Sequence, residues 1–408
     1  MVALVACTDA ATVTRPAAAP ARASRDVTVS AANDDDYQTP ASITWNQIAR
    51  DYVAALTVKP GQTATIRVFA YLSLAQYQAV LATSAVDDPE LPDDDNDADQ
   101  HVHSSARGAV AGASAAVLEY AFPDGMAAFE ADVTAQAAQA AHPDEKSDRF
   151  AEGIALGRAI GANVVASAKT DRFDAVWTGT VPVGPGLWTG TNPILPLLGQ
   201  MRTFYMTSGS EFRPPPPPAF GSAEFLAALA EVRHISDTRT PEQLAIAQKW
   251  AGTTGSLVAG LWNTMVTNDI TTHRLAERQA AHALMLTNTA AMDALIACHD
   301  GKYTYWFIRP WQADPMITTP IGQPNHPSYP SAHACGSGAF ADVLGGLFPA
   351  EKDMWAALAD EAGESRIFAG IHYRFDKDAG LKIGRQVGDL ALATDAQQTR
   401  DGKSKDDK

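Results

Sequence analysis

Apolar residues recur at three- and four-residue intervals from Thr44 onward, and this spacing is the strongest constraint on the fold of the chain. The interval places apolar side chains on one face of an α-helix, whereas a half-buried strand alternates them at every second position. The stretches ITWNQIARDYVAALTV and SSARGAVAGASAAVLEYAF follow the helical interval, and no stretch alternates convincingly. The sequence therefore predicts an all-α fold of two packed helical bundles with long connecting loops.

An irregular stretch over residues 175–220 divides the chain and ends in five consecutive prolines, Pro214 to Pro218. Such a run adopts an extended polyproline conformation, and we interpret it as a stiff surface connector rather than a ligand for a partner module. Ser222 and Thr240 follow it as predicted N-caps of two helices. The predicted regions are a tether over residues 1–40, an N-terminal helical region over 41–220, a C-terminal helical region over 221–395 and a polar tail over 396–408.

The chain is acidic, with a formal net charge of −16. Nucleic acids and anionic membranes bind basic surfaces, so the charge argues against both as partners. Part of it lies in VDDPELPDDDNDADQ, whose alternating aspartates resemble a calcium-binding loop. Since the turn glycine and the closing glutamate of such a loop are missing, we interpret the segment as a solvated linker.

The N-terminal letters LVAC, which end at Cys7, look like the end of a bacterial lipoprotein signal that lacks its positive region. They predict an exported protein, periplasmic or lipid-anchored at Cys7, with an unstructured N-terminus as the alternative. No integral membrane span is predicted, because the longest uncharged run, Ala175–Met201, contains four prolines. Cys298 and Cys335 are expected to be buried free thiols, with a disulfide between them as the alternative.

Three short segments of the C-terminal half bring together cations, hydroxyl groups and histidines. The first, KYTYWFIRP, ends a long helical pattern that is predicted to stop at Pro310. It contains Lys302 and Arg309, which are seven residues apart and would share a helix face if the helix continues that far. Two cations in an apolar segment are costly to bury without a negative group. This segment therefore predicts a nearby anion.

The second segment, Ser331–His333, precedes an apolar helix. The unpaired amides and positive dipole of a helix N-terminus attract anions, and the segment adds a hydroxyl donor and a titratable imidazole. The third segment, SRIFAGIHYRFD, contains Arg366, His372 and Asp376. The last two are four residues apart, which would put acid and imidazole on one helical face. The carboxylate would then hold one ring nitrogen protonated and leave the other free.

These motifs, Lys-x6-Arg-Pro, Pro-Ser-x-His and Ser-Arg-x5-His-x3-Asp, occupy Lys302–Pro310, Pro330–His333 and Ser365–Asp376. Their order resembles the signature of vanadium-dependent haloperoxidases and type-2 phosphatidic-acid phosphatases, and the surrounding segments look like the soluble bacterial haloperoxidase branch. The resemblance implies an anion site in the C-terminal bundle, a vanadate cofactor, and hydrogen peroxide, a halide and an organic acceptor as partners. It leaves a homodimer open. The alternative is a soluble acid phosphatase that needs no cofactor and acts through a phosphohistidine intermediate.

The resemblance also implies a role for each matching residue. His372 would bind the metal of vanadate, or attack phosphorus in a phosphatase, and Asp376 would orient it. His333 would act as the acid or base, and Lys302 would polarise a bound peroxide. The residues implied to bind the oxygens of the anion are Lys302, Arg309, Ser331, Ala332 and Arg366.

Two positions bear on how closely the chain follows the family. The family usually has glycine where this chain has Ala332, whose Cβ could crowd the anion or forbid a positive φ. His326 lies where brominating members also carry histidine and chlorinating members tend to carry phenylalanine. It is therefore the candidate halide-site residue, and it favours bromide.

Overall fold

The computed structural model describes residues 38–84, 98–140, 147–252 and 255–406. Within these ranges the predicted all-α fold is confirmed, since the only β pairing there is an isolated antiparallel bridge between Leu187 and Phe307. No helix in the described parts of the chain is both long and apolar enough to span a bilayer. Cys7 and the aspartates of the predicted linker lie outside the described residues.

The first five helices pack tightly through small residues. A Cβ added at Gly157 would lie 1.9 Å from the carbonyl oxygen of Ala109, so only glycine allows these two helices to approach as closely as they do. The amide of Ser42, in the first turn, donates 3.0 Å to the buried carboxylate of Glu277. These helices are α1 (Ala41–Ala55), α2 (Gln62–Ser84), α3 (Ala98–Ala121), α4 (Met126–Ala140) and α5 (Ser147–Ala168).

The remaining helices follow the long connecting stretch. They are α6 (Ala223–Thr238), α7 (Pro241–Lys249), α8 (Leu257–Thr272), α9 (Glu277–Tyr305), α10 (Pro310–Ala313), α11 (Ala332–Leu347), α12 (Lys352–Phe368) and α13 (Arg374–Asp406). Helix α2 packs against α9, and α9 packs against α11, which also contacts α12 and α13. One continuous apolar core consequently joins the two halves, with α9 at its centre.

A buried carboxylate holds the connecting stretch against α9. Asp293 is fully buried and accepts the backbone N–H groups of Phe204 and Tyr205 at 2.8 Å and of Met206 at 3.1 Å. Burial raises the pKa of Asp293 to about 6, while these three donors act in the opposite direction. The loop backbone thus obtains its hydrogen bonds from a side chain of the helix that it covers.

The proline run Pro214 to Pro218, here called the proline strap, contains neither helix nor turn and is attached by its backbone to two tyrosines. Its first two carbonyls accept the hydroxyl groups of Tyr305 at 2.6 Å and Tyr329 at 2.8 Å. The predicted caps that follow are confirmed. The Ser222 hydroxyl accepts an amide of the first turn of α6, and Thr240 forms a capping box at the start of α7.

Two predicted helix ends were wrong. Helix α9 stops at Tyr305 rather than near Pro310, because Trp306 adopts a left-handed conformation with φ of 48° while its ring packs beside Trp177 and Trp188. Lys302 and the arginine seven residues later therefore do not share a helix face. Helix α13 continues to Asp406 and so includes most of the segment predicted as a polar tail, residues 396–408, since glutamine, lysine and arginine favour helix without an apolar period.

Candidate active site

His372 lies in the turn between α12 and α13, and Asp376 lies in the first turn of α13. Nδ1 of His372 is 2.7 Å from Oδ2 of Asp376, and Nε2 is 3.0 Å from Nη1 of Arg309. A guanidinium can only donate, so Nε2 accepts and Nδ1 carries the proton. The predicted pairing is present, but the predicted reason was wrong, because His372 is outside the helix.

Burial keeps this imidazole neutral. It lowers the pKa of His372 well below the usual range, and the charges of Arg309 and Lys302 lower it further. Asp376 is fully buried, and its pKa is raised to about 6 by burial, although hydrogen bonding from the Ser328 hydroxyl acts in the opposite direction. His372 thus presents an unprotonated nitrogen to the interior, which suits a metal ligand or a nucleophile.

Two fully buried cations lie beside the histidine. The Lys302 ammonium donates to the carbonyls of Pro327 at 2.9 Å, Ser328 at 2.8 Å and Pro330. Arg309 lies at the start of α10 and donates to the carbonyl of Ile371 at 2.6 Å. Burial lowers the pKa of Lys302 to about 8 and that of Arg309 to about 10.

Arg366, near the end of α12, is the third buried cation. It donates to the carbonyl of Ala247 at 2.7 Å and to the Ser365 hydroxyl at 2.9 Å, and burial lowers its pKa to about 9. Among the described residues, no carboxylate forms an ion pair with Arg366, Lys302 or Arg309. Three buried cations without a paired anion make a site suited to a negatively charged group.

Ser331 is the residue before the first turn of α11. Its amide donates 2.9 Å to the backbone carbonyl of Asp376, while its buried Oγ has no hydrogen-bond partner in the described structure. Ala332 is helical and has no positive φ, so the expected conformational conflict does not arise. An unpaired hydroxyl, first-turn amides and buried cations together fit a tetrahedral oxyanion such as vanadate or phosphate.

His333 lies in the first turn of the same helix. Its Nε2 is 2.8 Å from the carbonyl of Trp250, so Nε2 carries the proton and Nδ1 has the free lone pair. Burial lowers the pKa of His333 well below its usual range, and the charge of Arg366 adds to the effect. Nδ1 is thus the atom of His333 at which a proton can be gained and lost.

A cavity of about 680 Å³ opens onto this cluster. The site residues along its wall are His326, Ala332, His333, Arg366 and His372. Its other lining is largely aliphatic and aromatic, including Leu195, Trp262, Leu295, Phe340 and Ile371. Volume and lining are those of a pocket for a small organic molecule.

The structure therefore brings all nine sequence-predicted site residues into one region, although Lys302, Arg309, Ser331 and Asp376 do not line the cavity itself. Sequence reasoning missed His299, a buried histidine on the cavity wall. It lies one turn before Lys302 on α9, and that spacing was the available signal. The expected free, buried state of Cys298 and Cys335 is confirmed.

Several known proteins resemble this chain in sequence. A family model described as the VCPO second helical-bundle domain matches residues 348–401. A non-specific acid phosphatase of Providencia stuartii is 31% identical over 187 residues, which cover 44% of this chain and 71% of the phosphatase. A vanadium-dependent bromoperoxidase of Ascophyllum nodosum is 34% identical over 16% of this chain and 17% of that protein.

Two solved structures share the fold over nearly their whole length. The structure of the first bacterial vanadium-dependent iodoperoxidase has a TM-score of 0.67 at 23% identity and covers 86% of this chain and 95% of its own. A holo-type bacterial vanadium-dependent chloroperoxidase has a TM-score of 0.69 at 16% identity and covers 88% of this chain and 98% of its own. Likeness at these identities establishes the all-α fold.

Proposed function

We propose, on the premise that the chain belongs to the superfamily of vanadium-dependent haloperoxidases and type-2 phosphatidic-acid phosphatases, that it is a vanadium-dependent haloperoxidase. The observation that carries the proposal is the neutral His372, whose unprotonated Nε2 faces the buried cations. The large apolar cavity beside it supports the peroxidase reading, because an organic acceptor needs such a space.

The chain offers a complete set of groups for the cofactor. His372 Nε2 would bind the metal, while the oxyanion oxygens would be held by Lys302, Arg309, Ser331, Ala332 and Arg366. When bound, vanadate supplies a Lewis acid that activates hydrogen peroxide toward a halide. Asp376 keeps the proton of His372 on Nδ1 and so leaves Nε2 unprotonated, and Nε2 would exchange its hydrogen bond from Arg309 for the metal.

His333 would move protons during the reaction. Because its Nε2–H is bonded to the Trp250 carbonyl, proton uptake and release would take place at Nδ1. The lowered pKa of His333 means that this nitrogen is unprotonated at neutral pH and acts first as a base. Lys302 would contribute positive charge toward the oxygens of the peroxide.

Bromide is the halide that we propose as preferred. His326 supports it. Its Nδ1 lies 3.0 Å from Nη2 of Arg309 and 3.2 Å from the carbonyl oxygen of Pro327. A guanidinium can only donate and its contact is the shorter one, so we assign Nδ1 as the acceptor and Nε2 as the nitrogen whose proton can bind an anion. We expect His326→Phe to lower kcat/KM for bromide relative to chloride. An unchanged ratio of the two constants would remove His326 from the halide site.

A phosphatase is the second candidate, and the Providencia stuartii relative favours it. In that reaction Nε2 of His372 would attack the phosphorus of a phosphate ester and His333 would protonate the leaving alcohol. Water would then hydrolyse the phosphohistidine. Both reactions use the same anion-binding groups, so a direct assay must separate them.

The decisive assay compares the two activities in one preparation. Purified protein is incubated with orthovanadate, and bromination of a phenolic dye with peroxide is measured beside hydrolysis of an aryl phosphate without vanadate. Bromination that requires vanadate supports the peroxidase. Phosphate release that vanadate inhibits supports the phosphatase, and the absence of both activities in folded protein refutes both proposals.

His372→Ala tests the assignment of the metal-binding nitrogen. We expect it to abolish vanadate-dependent bromination, and circular dichroism reports whether the helical fold is retained. The matched control is His234→Ala, since His234 is an exposed histidine on α6. An active His372→Ala variant would overturn the assignment.

We also propose export with a lipid anchor at Cys7, a proposal that rests on the LVAC letters alone. Expression in bacteria fed with labelled fatty acid tests it. The label should appear in the full chain and be lost in Cys7→Ser. Equal labelling of the two proteins, or none in either, would contradict the proposal.

A further inference from the structure

His299 is a buried histidine that none of the motifs includes. It lies on α9, lines the cavity and is only 3% exposed. Nδ1 is 2.8 Å from the carbonyl of Leu295, one turn earlier, so this nitrogen donates and carries the proton. Nε2 is consequently a hydrogen-bond acceptor, and no group among the described residues occupies it.

The neighbouring histidine has the opposite polarity. Nδ1 of His326 is closer to the Arg309 guanidinium, at 3.0 Å, than to the carbonyl oxygen of Pro327, at 3.2 Å. With Nδ1 accepting from the guanidinium, Nε2 of His326 is the protonated nitrogen. The ring centroids of His299 and His326 are 6.0 Å apart. One side of the cavity therefore presents an acceptor and a donor side by side.

The rest of the cavity wall around these two histidines is largely apolar. Phe173, Trp262 and Phe340 supply aromatic surface, and aliphatic side chains supply much of the remainder. Burial, together with the charge of Lys302, lowers the pKa of His299 to about 3, so the ring stays neutral and Nε2 stays an acceptor across the physiological range. A neutral acceptor in an apolar wall discriminates for a bound O–H group over an ether of the same shape.

We propose that His299 binds the hydroxyl group of an apolar, hydroxyl-bearing organic acceptor, whose O–H donates to Nε2 while its hydrocarbon part fills the cavity. The proposal rests on the haloperoxidase function and names the class of acceptor for it. His326 keeps its separate place as the donor toward the halide. Binding alone is claimed, and no bond is made or broken at His299.

Calorimetric binding tests the proposal without catalysis. The wild-type protein, with orthovanadate and without peroxide or halide, is titrated with 4-tert-butylphenol and with 4-tert-butylanisole, which has the same ring but no O–H. We expect His299→Phe to weaken phenol binding by about three- to tenfold and to leave anisole binding unchanged. His299→Gln, which keeps an acceptor, should recover part of the loss.

Gln323→Ala is the matched control, because it removes a polar side chain of the same cavity wall that has no part in the proposed sites, and it should keep the preference for the phenol. The proposal is overturned if neither probe binds, if the wild type does not prefer the phenol, or if His299→Phe keeps the preference. If His299→Phe changes only the KM for peroxide, His299 binds peroxide and the proposal is wrong. Halogenation is assayed separately. A failure of the haloperoxidase function can therefore be told apart from a failure of hydroxyl binding at His299.

Discussion

Nδ1 of His372 and Oδ2 of Asp376 lie 2.7 Å apart across the start of α13, with both side chains almost completely removed from solvent. The carboxylate fixes the tautomer of the histidine, and a helix backbone fixes the carboxylate. Under the proposed function His372 binds the metal, and substitution of Asp376 then measures how far the carboxylate controls the affinity for the metal.

Asp376→Asn is therefore expected to weaken the affinity for orthovanadate by about 10- to 100-fold, because Nε2 is no longer held as the lone-pair nitrogen. Equilibrium dialysis measures the affinity directly. Asp378→Asn is the matched control, since Asp378 is exposed on the same helix turn. Equal affinities in the wild type and Asp376→Asn would show that the hydrogen bond does not control the site.

Ser331→Ala separates anion binding from stability. The buried Oγ of Ser331 has no partner in the described structure, so its removal should change the free energy of unfolding by less than about 0.5 kcal/mol or increase it. The increase in Tm on adding orthovanadate should nevertheless be smaller than in the wild type.

The control for Ser331→Ala is Ser337→Ala on the same helix. The Ser337 hydroxyl accepts Nε1–H of Trp262 at 3.0 Å, so its loss should cost about 1 kcal/mol without reducing the stabilisation by vanadate. If Ser331→Ala destabilises the ligand-free protein as much as Ser337→Ala does, the anion role of Ser331 is wrong.

Asp293→Ala is expected to lower the free energy of unfolding by about 3 kcal/mol, since it leaves three backbone amides of the covering loop unpaired. Urea denaturation measures the change. Asp300→Ala, on the same helix, removes an ion pair with the partly exposed Arg213 and should cost less than about 1 kcal/mol. Similar losses in both variants would contradict the anchoring role of Asp293.

The pH dependence of stability should report on Asp269, at the C-terminal end of α8. Burial raises its pKa to about 6, to which Glu351 contributes, while His273 acts in the opposite direction. The folded state therefore retains a proton that the unfolded chain has already lost. This contribution to stability is present at acidic pH and is lost as the pH rises from about 4 through about 6.

Asp269→Asn removes that titration. We expect the free energy of unfolding of the wild type, relative to the variant, to fall between pH 4 and pH 7, and urea titrations at several pH values measure the difference. The exposed Asp353, replaced by Asn, is the control. A difference that does not vary with pH would show that Asp269 titrates normally.

The sequence predicted the helical class, and it named residues that the structure brings close together, because both depend on residue types at short spacing. Lys302, Ser331 and His372 lie in short motifs whose residue types alone indicate an anion site. The contact between His372 and Asp376 was also predicted, although a turn rather than a helix brings them together.

Features that depend on distant packing were not predictable in this way. Helix α9 ends at Tyr305, where Trp306 turns left-handed and its ring packs beside two tryptophans of the connecting stretch, and no local signal marks that end. The tautomer of His333 is fixed by the backbone carbonyl of Trp250, which is 83 residues away in the sequence. The free nitrogen of His299 follows only from the coordinates of the helix turn before it.

The proline strap connects the end of α9 with the loop that leads into α6. Two tyrosine hydroxyls attach its first residues near the end of α9, while its far end leads into α6. A polyproline segment advances about 3.1 Å per residue and has no internal hydrogen bonds to rearrange. Its five prolines would thus form a spacer of set length between the end of α9 and the loop before α6, and deletion of one proline would shorten that spacer by about 3.1 Å.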